Sequence, residues 1–231
     1  MDIELSVLIP TRQEAASLPL LLADLQTWSG ELDILIADAG SSDATIDAAT
    51  LAGATVLRCP TPGRGQQLRW ALERAQSPWL LILHADSRLP TTWAQAVHNT
   101  ITTPTSADQA FYFDLRIDGD QPLLRLVELA VHWRCRHRQE PYGDQGLLIH
   151  RELYERSGGY SPIPLMEDLE LIRRLKRIAQ VRSLNQSIHT SGRRWERDGV
   201  LQRSWSNAQL RRRWLRGEPP EQLIASYDTP R

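Results

Sequence analysis

Short, nearly unbroken apolar runs alternate with stretches of helical period through the first hundred positions of the chain. The runs at 4–9, 32–37, 54–58 and 79–84 read as strands buried on both faces, because a parallel strand covered by helices shows no polar alternation. Between them, 15–28, 43–52, 64–76 and 91–101 carry helical spacing. Their starts are marked by Ser17-Leu18-Pro19, Ser41-Ser42-Asp43 and Pro90-Thr91-Thr92. Such alternation predicts βαβ units: an α/β protein with a Rossmann-like, mostly parallel central sheet and helices on both faces.

The pattern loosens after residue 101. Thr102 to Ser106 reads as a loop, and Ala110 to Ile117 as a strand in which Phe111, Phe113, Leu115 and Ile117 alternate with polar positions. Leu123 to Trp133 reads as an apolar helix followed by the basic cluster Arg134-Cys135-Arg136-His137-Arg138. Its apolar face is expected in the core, with an anionic membrane surface as the alternative. Further on, Gly146 to His150 suits a strand and Glu167 to Ile178 a helix. Arg193 to Leu215 reads as a helical tail rich in Trp and Arg, and the segment from Gly217, with Pro219-Pro220, as partly loose.

A chain of 231 residues that is 41% hydrophobic supports one sizeable core. No apolar stretch reaches the roughly 20 residues that span a bilayer, and Met1-Asp2-Ile3-Glu4 lacks a basic leader, so the expected location is the cytoplasm. Cys59 and Cys135 show no ligand spacing and are expected to be reduced. The net charge of -1 hides an asymmetry: 7 basic and 15 acidic residues in 1–122, against 19 basic and 10 acidic in 123–216. Positive charge in the second half suits phosphates, an anionic lipid surface or nucleic acid. A solvated helix face in a chain that prefers Arg, with Lys176 the only lysine, explains it equally well.

Candidate chemistry gathers where three strands end. Ligands of open α/β sheets collect beyond the carboxyl ends of the strands, and there the chain places Glu14, Asp38 and Asp86. Gly63-Arg64-Gly65 opens a helix with small residues and a cation, as a phosphate-bearing ligand requires, although no Gly-Lys-Ser/Thr follows to make a P-loop. Glu167-Asp168 begins another helix, where an acid is favourable against the helix dipole in any case.

Taken together, Val7 to Glu14, Asp38-Ala39-Gly40-Ser41-Ser42-Asp43, His84-Ala85-Asp86 and Glu167-Asp168 resemble, in order and spacing, family 2 glycosyltransferases of the GT-A fold. The likeness covers nearly the whole chain. Gly143-Asp144-Gln145, Gly158-Gly159-Tyr160 and Ser191 to Trp195 resemble a compact bacterial subgroup, some members of which are associated with arsenosugar pathways. This resemblance implies a GT-A catalytic domain over 1–190, with a nucleotide-binding half at 1–101 and an acceptor half at 102–190. Residues 191–231 form a helical extension packed on the same domain.

It further implies an inverting hexosyltransferase that moves a sugar from a UDP- or GDP-sugar to an acceptor hydroxyl, free or lipid-linked, with Mn2+ or Mg2+. The implied donor-binding residues are Pro10, Thr11, Glu14, Asp38, Gly40, Arg64, His84, Ala85 and Asp86, with Asp86 and His84 toward the metal. Family members usually carry Asp where this chain has His84; an imidazole there can hold Mn2+ or hydrogen-bond the ribose. Asp168 is the implied base, with Glu167 as second choice. Asp144, Gln145, Gly158 and Gly159 fall to the acceptor, and Arg193, Arg194 and Trp195 to a lid over the pyrophosphate.

Other readings of the same residues are a nucleotidyltransferase, which commonly carries a Gly-rich, Lys-containing start that this chain lacks, and a catalytically weak nucleotide-sugar-binding protein. Nucleic-acid binding by the basic, Trp-containing tail leaves the acidic strand ends unexplained and is not expected.

Overall fold

A computed structural model describes residues 4–228. Met1-Asp2-Ile3 of the expected leaderless start and residues 229–231 of the tail lie outside the described residues. The strands are β1 (Leu5–Thr11), β2 (Leu32–Asp38), β3 (Thr55–Arg58), β4 (Trp79–Ile82), β5 (Ser87–Arg88), β6 (Gln109–Ile117), β7 (Leu147–His150) and β8 (Gln180–Thr190). They form one eight-stranded sheet in the order β3-β2-β1-β4-β7-β6-β8-β5. The first four of that order run parallel, β7 is antiparallel to both its neighbours, and β6 and β8 pair in parallel, so the sheet is mixed beyond β4.

Because side chains alternate across a strand, β1 feeds two cores. Leu5, Val7 and Ile9 pack with Leu18, Leu21 and Leu22 of α1 (Leu18–Leu25) and with Trp93 and Val97 of α4 (Trp93–Ile101). Leu8 turns to the opposite face, where Leu68 and Leu72 of α3 (Arg64–Leu72) meet Ile172 and Leu175 of α7 (Glu167–Leu175). Two helical layers therefore sandwich the sheet, as the strand–helix alternation predicts. The remaining helices are α2 (Thr45–Leu51), α5 (Pro122–Arg138), α6 (Arg151–Arg156), α8 (Arg193–Asp198), α9 (Val200–Leu215) and α10 (Pro220–Asp228).

Three departures from the sequence reading have physical causes. Strand β8 hides because its buried Val181, Leu184 and Ile188 stand three and four apart, which imitates a helix. Val181 goes to one core and Leu184 and Ile188 to the other, and at Asn185, φ 56°, the strand bulges so that the step from Ser183 to Ser187 stands opposite that from Tyr112 to Asp114. The tail helix breaks at Gly199, φ 79°, into α8 and α9. After Gly217 the chain is helical rather than loose: Pro220 occupies a first turn, where its missing N–H has no partner to lose, and Leu223 is fully buried against Leu165 and Leu210. On α5 only Leu124, Glu128 and Cys135 are buried, so its expected core face stands largely in solvent.

Candidate active site

Strand order reverses at β1, with β2 on one side and β4 on the other, and the loops leaving β1 and β4 part to open a cleft of about 410 Å3. The loops after β1 and β2 are stitched to each other. Asp38 accepts from Thr11 Oγ1 at 3.0 Å, Gln13 Oε1 from the Ser42 amide at 2.7 Å, and Thr45 Oγ1 from the Glu14 amide at 2.8 Å. Gln67 on α3, itself buried, donates from Nε2 to the carbonyls of Thr11 (2.9 Å) and Ala37 (2.7 Å) and so ties the two strand ends. Glu14 is thereby held on the cleft wall with Pro10 and Thr11.

His84, Ala85 and Asp86 leave β4 in a turn closed by the Ser87 amide on the His84 carbonyl, 3.1 Å, and all three line the cleft. Opposite stand Asp144 and Asp168. The Asp168 carboxylate accepts from the Gly143 amide at 2.6 Å and from the Leu169 amide at 2.7 Å. Gly143 is the hinge of this wall: a Cβ there would lie 2.7 Å from His84 Nε2 and 3.1 Å from Asp168 Oδ2, so only a glycine lets imidazole and carboxylate stand this close. Arg64 joins the same group, its Nε ion-paired with Glu167 and its Nη1 3.3 Å from His84 Nε2. Since a guanidinium only donates, that contact assigns His84 Nε2 as acceptor and puts the ring proton on Nδ1.

Charge in the cleft is finely divided. Burial, then the Arg64 and Arg194 cations, push His84 well below the usual imidazole range, so it is neutral. Burial and the neighbouring Asp86 raise Glu14, against the pull of Arg193 and Arg194. Asp144 is pushed up to about 6, by burial first and also by Asp168 and Asp86, while Arg134 opposes the rise; its Oδ1 is buried without a partner. Glu167 is raised by burial in spite of Arg64, and its Oε2 is likewise unpartnered.

Several expected residues lie off the cleft wall. Asp38 is buried, with its four acceptor positions taken by Thr11 Oγ1, the Gly40 and Ser41 amides and Ser41 Oγ. Gln145 is buried behind Asp144, donating to the Phe113 carbonyl at 3.1 Å. Gly158 and Gly159 form a turn whose backbone is approached by this chain's own Arg174 and Tyr154. Arg193 is exposed and spans to Ser17 Oγ, whereas Arg194 and Trp195 do line the cleft. Unforeseen contributors are Gln67, Tyr142 and one face of α9: Arg203, Asn207, Leu210 and Arg211. The spacing of the α9 residues, four, three and one, is that of a single helix face; the sequence shows the face but not that it meets the cleft.

The sheet order and the cleft at its strand ends are those of the GT-A fold. The profile of the family described as glycosyl transferase family 2 matches residues 6–149, and the chain belongs to that family. It is 33% identical over 97 residues to "Glycosyltransferase AglJ" of Haloferax volcanii, covering 42% of this chain and 32% of that protein. Among solved structures it is similar to TarS of S. aureus (TM-score 0.64, 13% identity, 82% of this chain, 37% of that one). It is also similar to glucosyl-3-phosphoglycerate synthase from Mycobacterium tuberculosis in complex with Mn2+, UDP and glucosyl-3-phosphoglycerate (0.57, 18%, 82% and 70%). A third likeness is to the mannosyltransferase PcManGT from Pyrobaculum calidifontis in complex with GDP-Man and Mn2+ (0.59, 17%, 80% and 56%). The chain spans about a third of the archaeal protein and of the TarS chain it matches.

A divalent cation fits this site in one way. Among the described residues no three His, Cys, Asp or Glu side chains converge into a closed ligand set. Asp86 with the neutral His84 is thus a partial set, of the kind that hard cations complete with substrate phosphates and water. The His84 Nε2 lone pair faces Arg64, so of the two it is the Asp86 carboxylate that would hold a cation.

Proposed function

We propose that this chain transfers a sugar from a UDP- or GDP-sugar to an acceptor hydroxyl with inversion, assisted by Mn2+ or Mg2+, in the cytoplasm. One observation carries the reading: Asp86 at the end of β4 and Asp168 in the first turn of α7 open onto the same cleft, with a neutral His84 beside them. Asp168 takes the proton from the acceptor hydroxyl as its oxygen attacks the anomeric carbon from the face opposite the diphosphate. The new glycosidic C–O bond forms as the C–O bond to the β-phosphate breaks, and the nucleoside diphosphate leaves. Asp86 would hold the cation, joined by His84 where Arg64 gives up the Nε2 lone pair, and the cation would supply positive charge against that building on the leaving group.

Pro10, Thr11 and Glu14 line the donor side, and Arg64 and Arg194 offer it positive charge. Asp38, with Gly40, is assigned to the nucleobase, which Asp38 reaches if the Ser41 hydroxyl yields its bond. Glu167 anchors Arg64 and is second choice as base. Asp144 faces the acceptor hydroxyls, with Gln145, Gly158 and Gly159 in the turns behind it, while Arg193, Arg194 and Trp195 close over the pyrophosphate and exclude water. Residues 1–101 then form the donor half, 102–190 the acceptor half, and 191–231 the helical cover.

Binding of nucleotide sugars followed by calorimetry, with and without Mn2+ or Mg2+, tests this. Asp86→Ala is expected to lose the metal-dependent part of donor binding. Asp168→Asn is expected to bind donor normally and to lose transfer by about 10²–10⁴-fold. Native transfer rates in both variants would overturn the assignment.

A further inference from the structure

Exposed large apolar side chains concentrate on two helices. Leu126 (61% exposed), Leu129 (64%) and Trp133 (53%) stand three and four apart on α5, and Leu201 (72%) and Trp205 (57%) four apart on α9. Val127 and Val131 of α5 share a packed cluster with Val200 of α9, so the two stripes lie on adjoining helices. Both stripes face away from the core that joins them.

The exposed charge on the two helices themselves has one sign. The single acid of α5, Glu128, is buried and ion-paired with Arg116 and Arg125, and α9 carries no acid at all. Arg136, ion-paired with Asp114, and the exposed His137 and Arg138 end α5; His137 stacks on Trp133 at 5.0 Å between ring centroids, and the Arg138 guanidinium lies 5.5 Å from that ring. Exposed Arg212 continues the α9 stripe. Leucine and tryptophan bordered by cations, with no exposed carboxylate on either helix, match a surface that is apolar at depth and anionic at its rim.

We propose that the α5–α9 face docks reversibly on an anionic lipid bilayer. The apolar stripes enter the boundary between headgroups and acyl chains, while the arginines and His137 meet lipid phosphates. No described helix is long and apolar enough to cross a membrane, so the helices lie along the surface. The opposite face of α9, with Arg203, Asn207 and Arg211, lines the cleft, so docking sets the cleft beside the bilayer. The inference needs no catalytic step and stands apart from the assignment of the transfer reaction.

Co-sedimentation of the full chain with vesicles of equal parts phosphatidylglycerol and phosphatidylcholine, or of phosphatidylcholine alone, tests it. Binding is expected to the anionic vesicles only and to weaken with salt. Leu126→Glu/Leu129→Glu is expected to lower the bound fraction about tenfold or more with an unchanged melting temperature, because these side chains support nothing inside the fold. Trp133→Ala, which adds no charge, is expected to act in the same direction. No binding by the native chain, or equal binding by the double variant, overturns the proposal. So does a dimer, seen by light scattering, that the double variant dissolves, since a second copy would then cover this face.

Discussion

Gly143 shows how a single missing methyl group shapes the cleft. A Cβ there would meet both the His84 imidazole and the Asp168 carboxylate, so Gly143→Ala must push them apart. The expected outcome is a folded protein, by circular dichroism, whose transfer rate falls by about 10²-fold, the effect of a displacement near 1 Å. Asp144 offers a titration test. Its folded-state pKa of about 6 lies above the ordinary 3.8, so the native state holds an extra proton in that window, and the stability this gives is lost as the pH rises through it. Asp144→Asn cannot titrate. Its melting temperature relative to the native chain is expected to climb from pH 3.8 to pH 6 and then level, which paired thermal melts measure.

The junction of α3 and α7 depends on one buried ion pair. A Cβ at Gly65 would lie 2.5 Å from the Ser161 carbonyl oxygen and 2.8 Å from that of Ile163, so glycine lets α3 seat against the segment leading into α7 and lets Arg64 reach Glu167. Arg64→Ala strands a carboxylate that is fully buried and already has one oxygen unpartnered. Denaturant unfolding is expected to show a loss of about 2–3 kcal/mol at neutral pH. That loss shrinks as the pH falls and Glu167 protonates, because a neutral carboxyl no longer needs the guanidinium; Arg64→Ala/Glu167→Gln should recover most of it.

On the proposed reading the donor is held by residues that meet only in the folded state, so a donor should raise stability by mass action. At a free concentration near 100 times Kd the gain is about 2.7 kcal/mol. For a chain of this size a nucleotide sugar with its cation should raise Tm by about 5–10 °C, measured by differential scanning fluorimetry. Asp86→Ala should lose the part of that shift that requires metal.

Local chemistry wrote much of this into the chain. Unbroken apolar runs ending in acids made β1, β2 and β4 legible, and with them the cleft-facing ends of β1 and β4, because a buried strand must be apolar throughout and its end is where polar groups regain water. Strand β8 was not legible, since its buried side chains go to both cores on either side of a bulge, which leaves a helix-like spacing. Nor was the exposure of the α5 stripe: amphipathic spacing marks a face but not what covers it, and coverage is settled by which neighbour packs there. The α9 face in the cleft and the Gly143 contact were also decided by tertiary structure. Each joins residues tens of positions apart, and no local pattern carries the distance between them.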